Sequence, residues 1–304
     1  MTRMWQGGEV GSGDARLVGS RRADVGDLRA IIAIAKATGQ DEDWQVVYPA
    51  YIRHLMTHGT VLVAERAGTV AGFGATLRIG AGAQGISMLT DLFVDPASHG
   101  TGTGRALLDA LWSGERRRMT FSSLHANALP LYTSFGLDAW WPLLYLRGEV
   151  KRLDMPGGWS VTPADPARVG ALERRWTGLD RTADHEFWAA WPAGAGMIAS
   201  LDGRACAAGT IGGSGAEFGL CHLAVDPGAG QEHTREAVAA EAVIAVLSWL
   251  EPQDGLARVC LPAPHPATRR LLAAGWRIEE FDLYMASEFG LVDAVRLAPS
   301  PSLA

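Results

Sequence analysis

The run Asp91-Leu92-Phe93-Val94-Asp95-Pro96-Ala97-Ser98-His99-Gly100-Thr101-Gly102-Thr103-Gly104-Arg105-Ala106-Leu107-Leu108 decides how the chain is read. An apolar, β-rich stretch, Ile86 to Val94, stops at Asp95-Pro96. Gly100, Gly102 and Gly104 follow at alternate positions. Ala106, Leu107, Leu108, Leu111 and Trp112 then recur at helical spacing. The pattern predicts a strand, a tight glycine turn and a helix, Gly102 to Arg118, opening directly from the turn. A helix start leaves its first backbone N–H groups without partners and adds the positive end of the helix dipole. Glycine lets the backbone wrap closely around a ligand, so the chemistry suggested is anion binding, with a pyrophosphate as the natural guest.

The loop is not a P-loop, since no G-x-x-x-x-G-K-[ST] is present. It is not the dinucleotide G-x-G-x-x-G either, and no acidic residue ends a second strand about 20 residues on. It resembles the acetyl-CoA loop of the GNAT N-acetyltransferase superfamily, V-x-P-x-x-[RQ]-x-x-G-x-[GA]. Val94, Pro96, Gly102 and Gly104 match, while His99 stands where Arg or Gln is usual. A second motif of that family, A-x-x-L-Y-x-x-x-G-[FL], is matched by Ala128, Leu131, Tyr132, Gly136 and Leu137. The resemblance implies acetyl-CoA, or another acyl-CoA, as co-substrate. It would be held by Leu92, Phe93, Val94, His99, Gly100, Thr101, Gly102, Thr103, Gly104 and Arg105, with Asn127 as a further contact to the pantetheine arm. Strand N–H groups near Leu92 and Phe93 would stabilise the oxyanion. Tyr132 is implied as the acid that protonates the departing thiolate. A phenol near pKa 10 is a mild donor to a thiolate whose acid lies near about 8.5. The catalytic candidates are thus Tyr132, Asp91 and His125, the last two as bases for the acceptor amine. Thr90 replaces the first acid of the E-D-L-F-V seen in polyamine-type members, which argues against a polyamine substrate.

Length and composition set the frame. A chain of 304 residues, 48% hydrophobic, suggests two globular domains. No apolar run reaches the ~20 residues of a membrane span. Met1 to Ala15 is Gly-rich and lacks an apolar signal core, so it reads as a disordered tail. Cys206, Cys221 and Cys260 lie on expected strands without a C-x-x-C pair and read as buried thiols of a cytoplasmic protein. The net charge of −6 argues against nucleic acid. Residues 1–152 carry 16 Lys/Arg against 14 Asp/Glu, and residues 153–304 carry 11 against 19. An anionic cofactor therefore meets less repulsion in the first half. Spacing supports no metal site.

Taken in order, residues 16–150 read as strand, two helices, hairpin, strand, helix, strand, helix capped by Asn127, strand. Met155-Pro156-Gly157-Gly158 lies within a linker, residues 151–158, and the pattern then starts again over 159–290, leaving 291–304 as a C-terminal tail. Val225-Asp226-Pro227 repeats Val94-Asp95-Pro96. This is a duplication at a domain-sized period. The expected fold class is α+β: two tandem GNAT folds, each a mixed, mostly antiparallel sheet flanked by helices. The copies differ. His233 and Arg235 stand opposite Gly102 and Gly104, Glu232 sits where an anion would dock, and Leu271 takes the place of Tyr132. The second copy is therefore expected to have lost its cofactor loop.

The acceptor is expected to be a small-molecule amine, without nucleic acid or membrane, and the assembly a monomer or homodimer. Trp44, Tyr48, Tyr51, Trp140 and Trp141 are candidates for an aromatic pocket wall, although a core-facing helix explains the first group as well. Asp41, Glu42 and Asp43 suit a helix start. Asp180, Asp184, His185, Glu186 and Trp188 of the second copy are candidates to close over the first copy's site. The competing class is a non-catalytic CoA-binding sensor or interaction protein, which would have no need of Tyr132.

Overall fold

The computed structural model describes residues 19–39, 44–80, 84–213, 218–230, 234–251 and 254–303, with side chains of residues 44–47 excluded. The N-terminal stretch read as a disordered tail, the Asp41-Glu42-Asp43 cluster, Trp44 as a pocket wall, and the Glu232 and His233 substitutions lie outside these residues.

The first half runs β1 (Gly19–Arg22), α1 (Leu28–Ala37), α2 (Trp44–His58), β2 (Gly59–Arg66), β3 (Thr69–Ile79), β4 (Ile86–Val94), α3 (Thr103–Leu111), β5 (Arg118–Ser122), α4 (Ala128–Ser134) and β6 (Asp138–Glu149). The second repeats the order: β7 (Trp159–Ala164), α5 (Pro166–Thr177), α6 (Thr182–Ala189), β8 (Ala195–Leu201), β9 (Arg204–Gly212), β10 (Gly219–Val225), α7 (Arg235–Trp249), β11 (Leu256–Pro262), α8 (Pro266–Ala273) and β12 (Arg277–Ala286). A final strand, β13 (Leu297–Ala298), follows. Local chemistry explains several ends. Asp165 accepts from Ala167 N and Pro166 fills the first turn of α5, while Gly178, at φ +77°, ends it. The α3 helix stops at Leu111, short of the expected Arg118, because Gly114 turns the chain at φ +78° and β5 already begins at Arg118.

The two halves do not keep separate sheets. The strands form one 13-stranded sheet in the order β1-β2-β3-β4-β5-β12-β6-β11-β10-β9-β8-β7, with β13 on β10. Each half gives its last long strand to the other. β12 lies between β5 and β6, pairing Leu283 with Ser122 and Phe281 with Leu144. β6 in turn pairs with β11 over seven positions, from Leu256↔Glu149 to Pro262↔Leu143. The mixed sheet with flanking helices is as expected, but it is continuous. The residues read as a C-terminal tail are built into it: Leu291, Val292, Ala298 and Leu303 are buried and β13 is a strand.

The sheet has two apolar faces in its first half. On one, α1 and α2 bury Ile31, Tyr48, Tyr51, Ile52 and Leu55 against Val61, Phe73 and Ala75. On the other, α3 and α4 bury Leu108, Leu111, Trp112 and Tyr132 against Leu89 and Met285. The site described next lies where the sheet opens between these faces.

Candidate active site

β4 and β5 are parallel neighbours, paired from Ser87↔Arg118 to Leu89↔Thr120. There the pairing stops. Thr90 is an extra residue on β4, since Asp91 faces Ala75 and Leu89 faces Thr76 on β3. Such a bulge bends its strand and breaks the ladder locally. Asp95 N donates to Ala71 O at 2.9 Å, which turns Asp95 toward β3. Strand alternation then turns Leu92 and Val94 toward the opening and Phe93 away from it. The backbone N–H groups of Leu92 and Val94 thus face the opening, and that of Phe93 faces β3. The Val94 carbonyl already meets His99 Nε2 at 2.9 Å. That bond gives His99 a role in shaping the loop through its ring.

The loop delivers its donors as the sequence suggests. Gly100 and Gly102 have φ of +75° and +84°, a region costly for any residue with a Cβ, and Gly102 is the N-cap of α3. Among the described residues, no backbone carbonyl takes up the N–H groups of Gly100 to Arg105, and the first such bond is Ala106 N to Gly102 O, 3.0 Å. No acidic residue stands in the first turn of α3. A run of bare N–H groups at a helix start fits a diphosphate. Gly104 differs from its neighbours: a Cβ there would meet Leu131 and Val94 only at 3.6 Å, an ordinary contact. The fold alone does not demand glycine at 104. Arg105 turns from the loop to α4, donating to Ser134 Oγ at 2.7 Å with its guanidinium 5.3 Å from the Phe135 ring.

Asp91 points to the α1/α2 face. Tyr51 Oη donates to Asp91 Oδ2 at 2.6 Å and Tyr48 Oη to Oδ1 at 3.1 Å. The carboxylate is 7% exposed. Burial raises its pKa, opposed by the hydrogen bonds from Tyr51, Thr90 and Tyr48. Both tyrosines, one turn apart on α2, are held by burial and by Asp91 well above the usual phenol range and stay protonated. The Tyr48 and Tyr51 rings are core, as helical spacing allows, but their hydroxyls converge on one buried acid. The sequence reading missed that link. The signal was present in an acid inside the apolar run 86–94, facing a helix with two tyrosines three apart.

Tyr132 lies on the opposite face, in the cluster with Trp112, whose ring centre is 6.4 Å away. No described residue accepts a hydrogen bond from its hydroxyl. Burial, and then the carboxylates of Asp91 and Asp282, push its pKa well up, so it holds its proton firmly. Asp282 belongs to the exchanged strand β12 and accepts from Tyr145 Oη at 2.6 Å. The second half thus adds a carboxylate to the electrostatics around the first half's tyrosine, which no local pattern shows. His125 sits in the loop after β5, exposed, its Nδ1 accepting from Asn127 N at 3.3 Å and its ring 6.4 Å from that of His99. Asn127 occupies the N-cap position of α4 but makes no side-chain cap, because its backbone is already helical, at φ −91° and ψ −18°. The expected cap is therefore corrected, and the Asn127 side chain stays available. Of the other candidate wall residues, Trp141 stacks on Tyr284 at 4.2 Å, and Trp140 donates to Ala286 O and is 37% exposed.

The second half reproduces this frame with other chemistry. β10 and β11 pair only at Gly219↔Arg258 and Leu220↔Val259, and Cys221 is the extra residue. His222 follows the bulge as Asp91 does. It meets Glu173 Oε1 at 2.9 Å, while His185 meets Oε2 at 2.6 Å and Thr210 Oγ1 at 2.7 Å. Burial works to raise the Glu173 pKa, but the two histidines outweigh it and hold the carboxyl well below the usual range. Burial also lowers the pKa of His222. A neutral His222 with its proton on Nε2 satisfies both, and leaves only a lone pair on the unpartnered Nδ1. A second network ties the halves together: His54 of α2 donates to Asp184 Oδ1 at 2.7 Å, and Arg181 to Oδ2 at 3.0 Å. Asp184 and Trp188 thus pack against α2 and its core, while Asp180 bonds Arg174 and His185 turns to Glu173. Among the described residues no group of His, Cys, Asp or Glu is placed to hold a metal ion, and no helix is long and apolar enough to cross a membrane.

Residues 57–136 match the family model of the acetyltransferase (GNAT) domain, a span that contains the bulge, the glycine loop and Tyr132. Solved structures share the architecture. A putative acetyltransferase from Pyrococcus horikoshii has a TM-score of 0.66 at 13% identity, covering 98% of this chain and 99% of that one. A GCN5-related N-acetyltransferase from Anabaena variabilis scores 0.60 at 12% identity, covering 88% and 72%. A tandem GNAT protein from the clavulanic acid biosynthesis pathway scores 0.53 at 16% identity, covering 88% and 96%. At these identities the likeness establishes the fold. No curated protein matches the chain. The chain thus has a GNAT-like fold, and its residues 57–136 match the GNAT acetyltransferase domain, whose members are acyl-CoA-dependent transferases.

Proposed function

We propose that the first half is an N-acyltransferase that moves an acetyl or other short acyl group from acyl-CoA to the amine of a small molecule, and that the second half is non-catalytic. The observation that carries this reading is the opening between β4 and β5, flanked by bare loop donors, with Tyr132 on one face and Asp91 on the other. Acyl-CoA supplies the activated thioester. The N–H groups of Gly100 to Gly104 bind the diphosphate, and the free edge of β4 at Leu92 and Val94 orients the pantetheine arm and places an N–H donor for the developing oxyanion. Asp91, its pKa raised by burial, accepts the proton of the attacking amine directly or through one water. Tyr132 donates its hydroxyl hydrogen bond to the departing thiolate. Asn127 and His125 stand at the entrance, with His125 as a second candidate base. Direct attack needs no covalent enzyme intermediate, and the cysteines lie elsewhere, on β9, β10 and β11.

The second half is assigned no acyl-CoA because Leu271 replaces the tyrosine and Arg235 replaces the third glycine. The test is thiol release from acetyl-CoA with a panel of small amines and amino sugars. Acceptor-dependent release supports the reading. Tight acetyl-CoA binding without turnover on any acceptor would instead favour a CoA-binding sensor.

A further inference from the structure

The last residues of the chain touch both halves of the sheet. β13 lies in the opening that β10 and β11 leave beyond Leu220↔Val259. There it pairs Leu223↔Ala298 and Ala224↔Leu297, and Val225 N donates to Arg296 O at 3.0 Å. These are the strand positions that correspond, counted from the shared Val-Asp-Pro, to Leu92, Phe93 and Val94. In the first half no described strand fills this edge; in the second it is filled by the protein's own backbone. The same segment also covers the α1/α2 face of the first half. Leu291 and Val292 pack with Trp141 and Tyr284, and Leu297 packs on the edge of that cluster. Beyond β13 the chain reaches α2. Ser302 O lies 3.2 Å from Tyr51 Oη, the longer arm of a proton that hydroxyl shares with Asp91 at 2.6 Å. Leu303, 1% exposed, is buried with Tyr48, Tyr51 and Trp188.

From these contacts we infer that the C-terminal residues Ser302 and Leu303, held in place by β13 in the second half's opening, bound the acceptor side of Asp91 and limit which amines reach the thioester. The inference rests on the reading that Asp91 faces the acceptor. With cofactor entering from the α3/α4 face through the glycine loop, an acceptor approaching from the opposite face of the sheet crosses the side that carries Asp91. That approach is narrowed by Tyr48, Tyr51, α6 and residues 302–303. An amine of small cross-section passes this boundary and a bulky one does not. The second half acts here as an anchor: its opening grips Leu297 and Ala298 and so sets how far the next residues reach.

Two variants test it, a chain ended after Pro301, which keeps β13 intact, and full-length Leu303→Glu, which expels the residue from its apolar site. Both are checked for cooperative thermal unfolding of the acetyl-CoA complex and an unchanged acetyl-CoA Kd. The readout is the ratio of kcat/KM for bulky against small amines. The expected result is a rise of about tenfold or more in that ratio, the scale on which a pocket discriminates by size. A ratio within about twofold of the wild type in the shortened chain overturns the inference, as does a parallel fall for all acceptors in both variants. The wild-type measurement separates the two levels. No turnover with any amine removes the proposed function, whereas normal turnover with an unmoved ratio removes only the role of the chain end.

Discussion

Asp91 is an acid kept in a place that disfavours its charge. Its pKa is raised in the folded state, so its contribution to stability is full below the unfolded carboxylate range and is lost as pH rises through the folded value. Its ionised form is a cost that the fold tolerates. Asp91→Asn is therefore expected to melt no lower than the wild type at pH 7–8, with the difference shrinking toward pH 4, while acyl transfer falls steeply. A melt series across pH, run with turnover, checks both parts, and a large loss of stability at pH 8 would identify Asp91 as structural. Tyr132→Phe keeps the ring against Trp112 and removes only the hydroxyl. It should lower kcat by about 10²–10⁴-fold, the usual worth of a positioned acid, with acetyl-CoA affinity nearly unchanged. Equal losses in kcat and affinity would point to packing instead.

The strand, turn and helix around the loop separate what the fold requires from what a ligand requires. Gly102→Ala forces a Cβ into φ +84° and should cost about 1–2 kcal/mol in a denaturation experiment. Gly104→Ala has room for its Cβ and improves helix propensity. Its melting temperature should hold or rise while acetyl-CoA binding, read by calorimetry, weakens about tenfold or more. Binding that survives this change would mean that no phosphate approaches residue 104. This element was legible in the sequence because every local cue agreed: an apolar strand, Pro96, alternating glycines and a helical period. Neighbouring ends were less legible. Glu115 to Arg118 continues a plausible helix surface, but Gly114 breaks the helix and Arg118 and Met119 are recruited by β4 and β12. Asn127 has the right identity for a cap but the wrong backbone angles, a tertiary outcome that residue type does not encode.

At the scale of the molecule, duplication is written in the chain and strand exchange is not. The repeated Val-Asp-Pro and the repeated element order show two copies. β6 and β12 carry similar apolar patterns, so nothing local says which half each one joins. The same blindness hid Asp282 on Tyr145, β13 in the second opening, and Leu303 against Tyr51. Long-range burial also produced the Glu173–His185–His222 cluster, where the sequence offers three scattered polar residues. Glu173 is held low and His222 is held neutral, so both favour the folded state above their unfolded values, and stability is lost as pH falls through about 6.5 and then through the carboxylate range. The thermal midpoint should drop as pH is lowered from 7 to 5. Glu173→Ala, which strands two buried histidines, should cost about 3–5 kcal/mol. An acid-insensitive midpoint would mean that the cluster titrates alike in folded and unfolded chains.

The claim beneath all of this is that one half grips acyl-CoA and the other, filled by its own chain end, does not. The most direct measurement is a titration of the full-length protein with acetyl-CoA, joined to a crystal structure of the complex. The account predicts one acetyl-CoA per chain, with its diphosphate on the N–H groups of Gly100 to Gly104 and its pantetheine along Leu92 and Val94. Density for acetyl-CoA between β10 and β11, with β13 displaced and the first loop empty, would contradict it.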